Sequence, residues 1–187
     1  MTGLLTLALA SALPRTARAQ PSVALESARL EVRDDPDPGL YLYAQFAFDP
    51  SPTIEDAVRR GIPVYFAIDF QLVRTRWYWF DRRVVSATLA YRLSYSPLTR
   101  QFRLSRGALA QPFDTLAEAL ATVRTVRGWK VAERSAAEPP DHLLARVRLR
   151  LDTTMLPKPF QVDSLTNHDW ALASDWQPVE IGAAPQR

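Results

Sequence analysis

Apolar side chains at every second residue constrain this chain more than any other feature. From Leu40 to Phe48 the even positions are Leu40, Leu42, Ala44, Phe46 and Phe48, and from Ile62 to Leu72 they are Ile62, Val64, Phe66, Ile68, Phe70 and Leu72. From Val85 to Tyr95 the apolar set moves to the odd positions Val85, Ala87, Leu89, Tyr91, Leu93 and Tyr95. Further on, Ala145, Val147, Leu149 and Leu151 alternate with Arg146, Arg148 and Arg150. Successive side chains of a strand point to opposite faces, so each segment has one buried and one wet face, as antiparallel sheets do. Shorter candidates are Ala28–Arg33, Gln101–Ser105, Trp129–Glu133 and Trp170–Trp176. About eight strands of this kind predict a mainly β fold, a single-domain antiparallel β-sandwich.

Two short α-helices interrupt the strands. Thr53-Ile-Glu-Asp56 resembles a capping box with Asp in place of Glu, and Gly61 supplies a stop. Thr115-Leu-Ala-Glu118 is a full capping box, Leu116, Ala119, Leu120 and Val123 recur at helical spacing, and Gly128 marks the end. The two prolines of Leu156–Phe160 predict a stiff extended bridge between strands.

Arg74 to Arg83 reads RTRWYWFDRR, at the turn between two long alternating segments. Core positions are even before it and odd after it, and directly opposed residues share a face. The hairpin loop therefore holds an even number of residues, either Asp81-Arg82 or the four from Phe80 to Arg83, which sets Leu72 opposite Tyr91. Neither loop has the Gly or Asn of a tight turn, which favours the longer. Arg74, Arg76 and Tyr78 then extend the core face, while Trp77 and Trp79 fall on the other. Large apolar groups change sides near residue 74, through a bulge or through a tip that projects past the sheet. A projecting tip of Arg74, Arg76, Trp77, Tyr78, Trp79, Arg82 and Arg83 makes a candidate contact surface.

Residues 1–19 predict a secretory signal peptide: an apolar run from Gly3 to Leu13, then Ala17-Arg18-Ala19 before a cut at Gln20. The run is too short for a stable membrane span, so residues 20–187 form the expected exported domain, located in the periplasm. Without Arg15 and Arg18 the 23 basic residues fall to 21 against 20 acidic, so the mature chain is nearly neutral. Nucleic-acid binding rests on phosphate neutralisation, and it is not expected of such a chain. The absence of cysteine excludes thiolate zinc sites, cysteine nucleophiles and a lipidated N-terminal Cys.

Four stretches carry a resemblance: "YRLSYSPLTRQFR" from Tyr91, "FDTLAEAL" from Phe113, "VRLRLDTTMLPKPFQV" from Val147 and "DWALASDW" from Asp169. Together with "EDAVRRGIPVYFAIDFQLVRTRWYW" from Glu55, the chain resembles the bacterial exported family called domain of unknown function 4390. The resemblance implies a Gram-negative exported protein, with a sensor kinase as a hinted envelope partner. It brings no catalytic residues.

The remaining candidates are sparse. His142 and His168 are the only histidines; His168-Asp169 near Asp163 and Asp175 is a conceivable metal or acid–base group, but a polar loop is the expected setting. No HExxH, G-x-S-x-G or glycine-rich phosphate loop occurs, and no cofactor or metal is expected. Asp69, Asp152, Asp163 and Asp175 are the candidates for a carboxylate pair. Asp69 is expected to be exposed near Arg92, with Ser94 opposite. Arg146, Arg148 and Arg150, extended by Arg92, form a basic stripe for an anionic partner or, the favoured reading, a solvated sheet face. The expected function is a non-catalytic binding module for an envelope protein. A carbohydrate- or peptidoglycan-binding module and a carboxylate-dependent hydrolase are the alternatives.

Overall fold

The computed structural model describes residues 23–75 and 82–183. The fold is mainly β. The strands are β1 (Val23–Arg33), β2 (Gly39–Phe48), β3 (Val64–Arg74), β4 (Arg82–Ser96), β5 (Gln101–Arg106), β6 (Leu109–Phe113), β7 (Thr125–Ala132), β8 (Leu143–Leu151) and β9 (Gln177–Ala183). The α-helices are α1 (Pro52–Arg59), α2 (Leu116–Arg124) and α3 (Lys158–Thr166).

The alternation does set the core face: Leu40, Leu42, Phe46, Phe66, Ile68, Phe70, Leu72, Leu93 and Leu149 are almost completely buried together. The architecture differs from the expected sandwich. Among the described residues the nine strands form one sheet in the order β6-β5-β4-β3-β8-β9-β1-β2-β7, and β1 pairs with β9 in parallel. The sheet curls into a half-barrel: α2 touches β2 and β7 at one margin and β5 and β6 at the other. Its capping box forms as expected, and Leu116, Ala119, Leu120 and Val123 face the core. A curled sheet buries one face against itself and a plug, so the period-two pattern of a sandwich and of this sheet are the same.

Five local features differ from expectation. The β9 segment contains Pro178 and Gly182, which hide its pattern; it pairs with β8 on one side and β1 on the other. Trp170–Trp176 is not a strand but a 3-10 turn at His168–Trp170 followed by a single bridge from Ala173 to Arg150. Leu156–Phe160 is not an extended bridge: Pro157 caps α3 and Pro159 lies in its first turn, where a missing N–H costs nothing. The first helix starts earlier than expected, because the Ser51 hydroxyl rather than Thr53 accepts from the Ile54 N–H. The second ends at Arg124, and Gly128 lies inside β7 at φ +60°, where the β2–β7 pairing is irregular and the Tyr43 ring leaves no room for a Cβ to sit freely.

The β3–β4 hairpin keeps the expected parity but not the expected partners. Leu72 opposes Val85, and Tyr91 opposes Phe66. The next pairs are Val73↔Arg83 and Arg74↔Arg82, so Val84 is the extra residue of a bulge. That bulge changes the parity, and the last described pair brackets an odd seven residues instead of two or four. An even loop requires an unbroken ladder to the turn, and the bulge at Val84 breaks it.

Candidate functional site

The root of the hairpin is tied down by its own arginine. Arg74 is half-buried at the end of β3, and its guanidinium donates to the carbonyls of Pro139 at 2.8 Å, Asp141 at 2.9 Å and Glu138 at 3.2 Å. Next to it, the Thr75 N–H and hydroxyl both donate to the His142 carbonyl, at 2.9 and 3.3 Å. His142 thus contributes its backbone, held at φ +57°. Arg82 and Arg83 are exposed and have no partner among the described residues. Arg76, Trp77, Tyr78 and Trp79 lie outside the described residues. Arg74→Ala removes three charge-assisted hydrogen bonds from a partly wet site, and is expected to cost about 2 kcal/mol. Urea denaturation checks the figure, and faster proteolysis within 138–142 would locate the loss.

The basic stripe is an internally paired lattice. Asp69 is only 8% exposed and stands opposite Thr88 on β4 and Arg148 on β8. It accepts from Thr88 at 2.8 Å, from Arg150 Nε at 2.9 Å and from Arg148 Nε at 3.0 Å. Arg150 also meets Asp152 at 3.3 Å, and Arg146 donates to the Gln71 amide oxygen at 2.8 and 3.1 Å. The Trp176 ring covers two of the guanidinium groups, centred 4.6 Å from Arg148 and 5.0 Å from Arg146. Asp69 is therefore buried, not exposed beside Arg92, because β3 is a central strand flanked by β8. Arg92 opposes Tyr65 and Ser105 and does not join the lattice. Burial works to raise the Asp69 pKa, but the hydrogen bonds from Arg150, Thr88 and Arg148 outweigh it and hold the carboxyl below the ordinary Asp value.

Two of the other three candidate carboxylates, Asp152 and Asp163, are also engaged. Asp152 caps the turn at Thr154, and Asp163 accepts from the Trp170 indole N–H at 2.7 Å. Asp169 holds the Thr53 hydroxyl at 2.8 Å, while its backbone carbonyl accepts from the Ser51 hydroxyl at 2.6 Å. Asp175 is exposed. An ionised, doubly paired Asp69 is the opposite of the protonated acid that glycosidase chemistry requires. Among the described residues no three His, Asp or Glu side chains gather as metal ligands.

One cluster escaped the sequence reading. Glu31, 5% exposed, is clamped by Arg29 at 3.0 Å and Arg33 at 2.9 Å, and Arg33 also donates to the Tyr43 hydroxyl. The same guanidinium lies 4.3 Å from the Tyr41 ring centre. Burial raises the Glu31 pKa, but the Arg33 and Arg29 hydrogen bonds bring it below normal. Its signal was present as Arg-x-Glu-x-Arg on one strand face.

These features define a class: a mainly β, half-barrel module with charge lattices on its outer face and a pinned hairpin at one end. The chain belongs to the family described as Domain of unknown function (DUF4390), whose model matches residues 20–180. Comparison with curated proteins and with solved structures gave no match. No helix among the described residues is long and apolar enough to cross a membrane.

Proposed function

We propose that this protein is an exported, periplasmic, non-catalytic module that recognises an envelope protein through the tip of the β3–β4 hairpin. The observation that carries the reading is the root of that hairpin. Arg74 and Thr75 fix it to residues 138–142, and Arg82 and Arg83 stand beside it exposed and without partners among the described residues. A fixed root lowers the ordering cost of binding, and Trp, Tyr and Arg are the side chains that dominate recognition surfaces. The signal-like residues 1–19 support the location.

The test is the double variant Trp77→Ala/Trp79→Ala. Its melting temperature is expected to stay within about 2 °C of the parent, as for surface substitutions, while affinity capture from the cell envelope loses its partner. A double variant that unfolds means the rings are core and ends the proposal. Quenching of tryptophan fluorescence by muropeptides, abolished in the same variant, would transfer the site to a glycan partner instead.

A further inference from the structure

The plug formed by α2 leaves a gap. Between α2 and the inner face of β4, β5 and β6 lies an open slot of about 390 Å³, lined by Tyr91, Leu104, Arg106, Leu109 and Gln111, with Thr122 on the helix side. The pairing explains the convergence: Arg106 opposes Leu109 and Leu104 opposes Gln111, so all four point inward with Tyr91 from β4. The size falls within the roughly 300–1,000 Å³ of small-molecule sites.

Three polar side chains of the slot are unused, while the Thr122 hydroxyl donates to the Glu118 carbonyl on its own helix. Tyr91 is 6% exposed, yet its hydroxyl has no hydrogen-bond partner among the described residues. No described side-chain oxygen or nitrogen is sealed off without a partner, so that hydroxyl keeps access to solvent, and Tyr91 lines the slot. Among the described residues Arg106 has no carboxylate partner, whereas Arg29, Arg33, Arg148 and Arg150 on the opposite face of the sheet each have one. The Gln111 amide is likewise unpaired. Leu109 is 72% exposed at the mouth, on an edge strand.

We propose that this slot binds an alkyl carboxylate, its chain against Leu104, Leu109 and the Tyr91 ring and its carboxylate on the Arg106 guanidinium. Carboxylate and guanidinium match in charge and in paired hydrogen-bond geometry. The Tyr91 hydroxyl and Gln111 amide supply further donors. An alkyl alcohol lacks the charge, and an alkyl amine meets Arg106 with the same charge. The inference does not depend on the hairpin reading.

Titration calorimetry of the purified protein with decanoate, decanol and decylamine, each below its aggregation threshold, is the test. Decanoate is expected to bind at least tenfold more tightly than the other two. Arg106→Gln, at an exposed and unpaired position, is expected to erase that preference while leaving decanol binding as it was. Leu109→Trp, which fills the mouth, is expected to lose decanoate and decanol together. The proposal is overturned if decanoate does not bind, binds no better than decylamine, or binds Arg106→Gln as well as the parent. Decanoate binding that survives Leu109→Trp would place the ligand elsewhere and overturn it too.

Discussion

Trp170→Ala is expected to destabilise the protein by about 4 kcal/mol, the usual loss for a buried aromatic truncated to alanine. Trp170 is 2% exposed, although it follows a helix that buries no residue of its own completely. Its ring meets Phe160 edge-on at 6.0 Å, and its N–H reaches Asp163 at 2.7 Å, both on α3. The indole therefore both fills the core and fastens α3. Removing it leaves a cavity, an unpaired carboxylate and an unanchored helix. Asp163→Asn keeps the ring and changes only the hydrogen bond, with an expected cost of about 1 kcal/mol. Urea midpoints separate the two variants, and hydrogen exchange is expected to accelerate across 158–166 in Trp170→Ala before the rest of the chain responds.

Asp69→Ala is expected to cost about 3 kcal/mol, at the lower end for breaking a buried ion pair. The lower end applies because Arg148 and Arg150 remain about one-third exposed and water screens them once the carboxylate is gone. The variant leaves Arg148 without a counter-charge and Arg150 with Asp152 alone. The pH dependence has a definite sign. The folded-state pKa of Asp69 is depressed, so its contribution is complete above the unfolded-state value of about 4 and is lost as pH falls toward the folded value. Acid denaturation of the parent is therefore expected to be steeper below about pH 4 than that of Asp69→Asn, which has no proton to take up there. Parallel curves for the two would mean that the lattice contributes little.

What the sequence made legible follows the physics of each element. Alternation over nine or more residues located the long strands, because burial of one face leaves a period that no other structure imitates. The capping box at Thr115 was readable for a similar reason: its partners are three residues apart. The closure of the sheet was not readable. Whether two faces pack as a sandwich or one sheet curls depends on strand order, and β9, which decides it, carries a Pro and a Gly. Asp69 shows the same limit at a single residue. A cross-strand arginine was foreseen, but choosing among Arg92, Arg148 and Arg150 required the order of strands around β3. Helix α3 was hidden by prolines that halt a helix anywhere except at its start. The unused Tyr91 and Arg106 could not be found from periodicity, which reports that a side chain points inward but not that a gap awaits it.

The position of β9 also sets an order of events. It is the seam between β8 and β1, joining the portion of the sheet made of β1, β2 and β7 to the portion made of β3 to β6 and β8. Residues 177–183 follow every other described strand of the sheet in the chain. A chain synthesised from its N-terminus therefore cannot join the two portions of its sheet until this strand has been made. The fold is in this sense timed: eight described strands come first, and the ninth commits the sheet to its final form.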